Sequence, residues 1–252
     1  MIGLFDLKNK VALITGGRRG LGKAMAIGLA KAGVNIAVIA KSEDCSELAH
    51  EINKTDIELF YLNADLSVRE NRKGLIDRVV KHYGKLDILV NNAGIQHQSD
   101  IFNYSHEQWD HDLNLMLTAI FDLSQQAARV MMKQGGGKII QIASISSFQG
   151  ARYIAGYVTA KHGLVGLTKS LANELAGKNI NVNAIAPGLF ETDMASQVLK
   201  DPVKSSELKG RIPAGRFGKP EDIVGPLIFL ASEASNHVHG HILLVDGGWM
   251  GR

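Results

Sequence analysis

Seven short apolar runs, alternating with segments of helical period, constrain this chain more than any other feature. They are Val11–Thr15, Ile36–Ala40, Glu58–Asn63, Ile88–Asn91, Lys138–Ile142, Asn181–Ala186 and Ile242–Val245. Val and Ile recur in them, and a strand that is apolar throughout is covered on both faces. Helical period marks Leu21–Ala32, Arg69–Tyr83, Glu107–Lys133, Tyr157–Ala176 and Pro220–Ala231. The alternation predicts an α/β fold, a doubly wound, mainly parallel seven-stranded sheet between helices. With 252 residues and no internal repeat, low-complexity tract or long linker, the chain reads as a single domain, 1–252. The stretch Leu189–Gly218 is long, polar and poor in strand signals. It reads as an insertion of the lid or substrate-loop kind.

The first run leads into Thr15-Gly16-Gly17-Arg18-Arg19-Gly20-Leu21-Gly22. Gly16, Gly20 and Gly22 at a strand-to-helix junction allow a tight turn. They let the backbone approach a pyrophosphate at the positive end of the helix, so a Rossmann-type dinucleotide site is expected here. The second run ends Ala40-Lys41-Ser42, with no acid before Glu43. An acid at that point would bond the ribose 2′-hydroxyl of NAD. Lys41 and Arg19 suit a 2′-phosphate instead, which leans towards NADP. Asp65-Leu66 follows the third run, where it can border the adenine. Asn91-Asn92-Ala93-Gly94 ends the fourth, and Asn91 reads as a tie between strands.

Tyr157 and Lys161 are four residues apart, and so one turn apart on the same helix face. Ser144 lies thirteen residues upstream of Tyr157. A tyrosine with an ordinary pKa of ~10 needs a drop of about three, or ~4 kcal/mol, to act as a base near neutrality. The Lys161 charge is expected to supply part of it. In the reductive direction Tyr157 donates a proton to a carbonyl oxygen that the Ser144 hydroxyl also holds. The pattern predicts carbonyl/alcohol redox chemistry.

These motifs together resemble those of the short-chain dehydrogenase/reductase family over the whole chain. The family's T-G-x-x-x-G-x-G, N-N-A-G, serine, Y-x-x-x-K and P-G elements match Thr15–Gly22, Asn91–Gly94, Ser144, Tyr157–Lys161 and Pro187-Gly188. The resemblance implies that Arg18, Leu21, Asn92, Ala93, Gly94, Pro187 and Gly188 lie along the cofactor. It also implies that Thr192 contacts the nicotinamide amide. A narrower resemblance, to the 2-dehydro-3-deoxy-D-gluconate 5-dehydrogenases, rests on Ser147-Phe-Gln-Gly150, Arg211-Ile-Pro-Ala-Gly-Arg216 and Val245-Asp-Gly-Gly-Trp-Met-Gly-Arg252. It implies reduction of 2,5-diketo-3-deoxygluconate to 2-keto-3-deoxygluconate, or the reverse, in uronate catabolism. The subfamily favours NAD, against the reading of Lys41 and Arg19. Where some members carry two arginines after N-N-A-G, this chain has Gln96-His97-Gln98. The family also implies a homotetramer.

One departure is sharp. The family's asparagine on the long central helix, which holds a water in the proton relay, falls at Met116, in register with Trp109 and Phe121. Asn114 lies two residues off, about 200° around a helix. Gln149 and Arg152, between Ser144 and Tyr157, are candidate substrate contacts, with Arg152 suited to a carboxylate. Arg211 and Arg216 near the insertion are further candidates, and Trp249 and Arg252 are candidates for a subunit contact.

Cys45 is the only cysteine, so no intrachain disulfide is possible. Net charge is +3, with the cations dispersed, which argues against a nucleic-acid partner. The nine histidines show no metal-ligand spacing, and His237, His239 and His241 read as one strand-edge face, so no metal is expected. No run approaches ~18 apolar residues, and Met1 to Lys10 lacks a signal-peptide core. A cytoplasmic protein without a membrane partner is expected. Two other functions stay open: a 3-oxoacyl-[acyl-carrier-protein] reductase, and a cofactor-binding sensor or scaffold with weak catalysis.

Overall fold

A computed structural model describes residues Ile2–Arg252, without the side chains of Ile2, Gln197 and Val198. Seven strands form one sheet: β1 (Val11–Thr15), β2 (Asn35–Ala40), β3 (Leu59–Asn63), β4 (Ile88–Asn91), β5 (Gly137–Ile142), β6 (Ile180–Pro187) and β7 (Ile242–Val245). Their order is β3-β2-β1-β4-β5-β6-β7. Every pairing is parallel, the last strand included. The chain winds outward from β1 to β3, returns to β4, and winds outward again.

Alternation along β1 shows why its run is apolar throughout. Ala12 and Ile14 pack with Met25, Leu29 and Leu227 on one face. Val11 and Leu13 pack with Leu75, Val79 and Leu123 on the other. The first layer holds α1 (Gly20–Lys31) and α9 (Val224–Ala231), and the second holds α3 (Leu75–Tyr83), α5 (Ala119–Lys133) and part of α6 (Ala155–Leu175). Both faces of the central strands β1, β4 and β6 are removed from water, at ~25 cal/mol per Å² of apolar surface.

Two expected helices are broken. The segment Arg69–Tyr83 divides at Gly74, whose φ of 69° lies in the left-handed region that favours glycine, into a 3-10 turn and α3. The segment Glu107–Lys133 divides into α4 (His106–Leu113), a π-helical turn (Asn114–Thr118) and α5. A short helix, α2 (Ser46–Ile52), carried no expectation. The insertion after β6 is helical, with α7 (Ser196–Lys200) and α8 (Pro202–Gly210). Its ends close on each other, Glu191 N–H donating to the Gly218 carbonyl and Gly218 N–H to the Leu189 carbonyl.

Candidate active site

The carboxyl ends of β1 and β4 meet where the winding reverses, the place where doubly wound sheets bind ligands. The glycine turn occupies that end of β1. Gly16 and Gly20 have φ of 65° and 55°, and a Cβ on Gly22 would strike the Gly16 carbonyl and come within 2.6 Å of the Asn92 amide. Among the described residues no side chain caps the start of α1, and its first turn holds no acid. Its amides and positive end are therefore open to an anion. Thr15 braces this turn, accepting from the N–H groups of Asn92 at 2.9 Å and Ala93 at 3.0 Å through its hydroxyl. The Asn92 amide donates to the carbonyls of Thr15 and Gly16. Asn91 points into the sheet, donating to Ser124 and Gln141, and so ties β4 to β5 and α5.

Around the second and third strands, cations and acids are paired. Lys41 Nζ lies 2.7 Å from Asp65, and Arg19 lies 3.6 Å from Asp193 across two exposed side chains. Burial pushes the Asp65 carboxyl up, but hydrogen bonds from Lys41 and Ser67 outweigh it and hold it at about 2. Leu66 is buried, and its carbonyl accepts from Arg72. Arg72, 1% exposed, also bonds Ser67, Asn114 and Asp122. This arginine had no motif to announce it.

Ser144 follows β5 and caps a 3-10 turn, its Oγ accepting from Ser146 N–H at 3.0 Å. That acceptance leaves the Ser144 hydroxyl proton free to be donated. Tyr157 and Lys161 share one face of α6. Burial raises the Tyr157 pKa, and a hydrogen bond from Ser144 opposes the rise. Lys161 is 4% exposed and donates to the Ile142 carbonyl at 2.6 Å. Burial lowers its pKa to about 8. Its Nζ lies 5.6 Å from the centre of the Tyr157 ring. The Lys161 ammonium is turned to the β5 carbonyl of Ile142.

Asn114 faces away from this group, toward Arg72 and the Ser67 carbonyl, despite the π-helical turn it opens. Met116 is fully buried, with its sulfur 3.5 Å from the Cβ position of Gly94. An apolar side chain therefore packs beneath the Asn92–Gly94 segment.

Pro187 closes β6, and Gly188 N–H donates to Val245. Thr192 lies 3.7 Å from the Cβ position of Gly20, so the insertion crosses the start of α1. A cavity of about 650 Å³ opens there, lined by Gly20, Lys23, Thr192, Asp193 and Glu221. Gln149 is half-buried. Arg152 is exposed and stacks 5.3 Å from the Tyr153 ring; Tyr153 itself has φ of 69°, a strained value for a side chain of its size. Arg216 is held by Asp222 at 2.6 Å. Arg211 lies over Trp249, which is buried against Ile145, Ile212 and Phe217 of its own chain. Trp249 therefore anchors the insertion within the chain, while Arg252 stays exposed.

The family model described as enoyl-(acyl carrier protein) reductase matches residues 16–250. The chain is 45% identical to the 2-dehydro-3-deoxy-D-gluconate 5-dehydrogenase of Dickeya dadantii, covering 100% of both. It is 38% identical to the 3-oxoacyl-[acyl-carrier-protein] reductase of Thermotoga maritima, over 96% of this chain and 98% of that one. A solved gluconate 5-dehydrogenase from Burkholderia cenocepacia J2315, in complex with NADP and tartrate, is similar with a TM-score of 0.94 and 35% identity. That likeness covers 100% of this chain and 99% of the other. Likeness of this depth defines an NAD(P)-dependent oxidoreductase acting on a CH–OH group. The chain belongs to the short-chain dehydrogenase/reductase family.

Proposed function

We propose that this enzyme interconverts 2,5-diketo-3-deoxygluconate and 2-keto-3-deoxygluconate, as a step of uronate breakdown. The observation that carries the reading is full-length likeness to the Dickeya enzyme. The site agrees, with Ser144, Tyr157 and Lys161 beside a turn shaped for a dinucleotide. The open amides at the start of α1 suit a pyrophosphate, and Gly16, Arg18, Gly20, Leu21, Gly22, Asn92, Ala93, Gly94, Pro187, Gly188 and Thr192 would hold the cofactor. The bound nicotinamide supplies or accepts the hydride. In reduction, the Tyr157 hydroxyl gives its proton to the substrate carbonyl oxygen. Ser144, whose Oγ already accepts from Ser146 N–H, turns its proton to the same oxygen and stabilises charge that builds there. Lys161 supplies positive charge one helical turn below the tyrosine. A phenol kept neutral by burial suits the acid role.

Lys41 and Arg19, with no acid at the end of β2, favour NADP over NAD, and Asp65 and Asp193 must release those cations to a 2′-phosphate. Gln149 and Arg152 border the substrate, Arg152 facing its carboxylate. We assign the chain to one domain, 1–252, with 189–218 as its substrate loop, in a cytoplasmic homotetramer. None of its described helices is long and apolar enough to cross a membrane.

The test is oxidation of NADPH and NADH with 2,5-diketo-3-deoxygluconate, beside an acetoacetyl thioester. Turnover of the sugar acid alone, faster with NADPH, is expected. Preference for the thioester would instead favour the acyl reductase reading, which the Thermotoga likeness keeps in view. Cofactor binding without turnover of either substrate would point to the sensor.

A further inference from the structure

We propose that His97, His111 and Asp112 bind a divalent transition-metal ion of the zinc class, at the seam where α4 packs on the start of α6. Asp112 is wholly buried on α4, and a buried carboxylate requires partners. One of its oxygens lies 2.7 Å from His97 Nδ1. The other accepts from the Tyr104 hydroxyl. His111 precedes Asp112 on the helix and meets the His97 ring edge-on, with centroids 5.3 Å apart. His111 Nδ1 is buried and has no hydrogen-bond partner among the described residues. A buried, unpaired ring nitrogen calls for a ligand beyond the protein's own atoms. One donor atom from each of the three residues lies within 4.8 Å of the other two.

Two imidazole nitrogens and a carboxylate oxygen are a donor set for Zn²⁺, and three protein ligands leave a fourth position to water. Metal–ligand bonds of about 2.0–2.1 Å set tetrahedral donors roughly 3.4 Å apart. The His97–Asp112 contact must open by about 0.7 Å, and the widest gap close by up to about 1.4 Å, for that geometry. His111 and Asp112 are fixed on α4, whereas His97 lies outside any helix or strand and can supply the movement. Tyr104 orients the Asp112 carboxylate from behind, as outer hydrogen bonds do in metal sites. Gly156 makes the close packing possible, since a Cβ there would stand 2.6 Å from Asp112 Oδ2 and 2.8 Å from the Tyr104 oxygen. Gly156 immediately precedes Tyr157. The ion therefore ties the segment after β4 and α4 to a fixed point beside the tyrosine, as a brace separate from Ser144, Tyr157 and Lys161. Sequence spacing concealed it, because adjacent positions 111 and 112 and a loop residue fourteen earlier match no ligand motif.

The experiment is equilibrium dialysis of the chelator-treated full-length protein against Zn²⁺, with bound metal counted by mass spectrometry. One ion per chain is expected, lost in His111→Ala and in His97→Gln and kept in His239→Ala. X-ray absorption at the zinc edge should then show nitrogen and oxygen neighbours only. NADPH binding by each variant confirms that it is folded; if His111→Ala does not fold, His97→Gln decides. The site is overturned if the wild-type protein takes up no zinc, or if His97→Gln retains it. It is also overturned if the ion follows His239, or if sulfur in the shell assigns it to Cys45.

Discussion

At the scale of single residues, burial sets the resting states of the proton-handling groups. The Lys161 pKa falls from 10.5 to about 8 because its ammonium is desolvated. One pKa unit is ~1.4 kcal/mol, so holding the lysine charged costs the fold on the order of 3 kcal/mol. The folded chain releases this proton near pH 8, the unfolded chain near 10.5. Between those values the unfolded state binds more protons, so this contribution makes stability rise with pH. Below pH 8 the full penalty stands. Lys161→Met is expected to flatten that rise, read as urea midpoints at pH 7.5 and 9.5. Lys138, also lowered to about 8 by burial, tilts both proteins equally and cancels in the difference. Equal slopes for wild type and variant would show that Lys161 is not the desolvated group. Tyr157→Phe should cost about 10²–10⁴ in turnover with cofactor binding kept, as for loss of a general acid. A fluorescence titration with NADPH beside the turnover assay checks both halves. Met116→Asn restores an amide where a thioether now packs. If a proton route to Lys161 is closed by Met116, kcat rises and its pH profile moves. Stability should drop by about 1–3 kcal/mol for a buried amide that lacks a full set of partners. An unchanged profile removes Met116 from the proton route.

At the scale of elements, Arg72 decides where the helices end. Its guanidinium holds the Leu66 and Ser67 carbonyls, Asn114 and Asp122 at once. The turn after β3 and the π-helical turn are thereby fixed to each other. Arg72→Met leaves Asp122 and Asn114 without this partner and is expected to cost roughly 3–5 kcal/mol, as for a broken buried pair. Urea unfolding measures it, and a loss below about 1 kcal/mol would mean Arg69, 3.7 Å from Asp122, takes over. Elements built on local pattern were the legible ones. All seven strands fall where the apolar runs place them, within one residue at each end. The single long helix expected over Glu107–Lys133 was not legible as three pieces, because its apolar period runs unbroken through the turn that Arg72 holds from 42 residues away. The break at Gly74 was open to reading, as was the start of α8, where Asp201 caps the helix and Pro202 fills its first position. In the site, Ser144, Tyr157 and Lys161 were legible through fixed spacing on one strand end and one helix. Arg72 and Asp112 were not, since their partners come from other elements.

At the scale of the molecule, the winding order puts the glycine turn and the Asn92–Gly94 segment together, and the insertion closes over them. Packing of Ile212 and Phe217 on Trp249 anchors that closure within the chain. Exposed apolar residues include Ile101 and Phe102 before α4, Phe121 on α5, and Phe148 and Tyr153 before α6. Phe102 is 95% exposed, a costly state for an aromatic side chain, and such patches mark association surfaces. Stable interfaces bury upwards of about 1,000 Å², which two opposed helices and their loops can supply. Light scattering on the purified protein is expected to give the mass of four 27.3 kDa chains. Phe121→Lys puts a charge on the helix face that would be desolvated between subunits, at a cost of several kcal/mol. It should lower the mass to dimer or monomer, while leaving each chain folded because the side chain is 42% exposed in the isolated chain. A four-chain mass for Phe121→Lys would move the interface away from α5, and a monomeric wild type would remove the tetramer altogether.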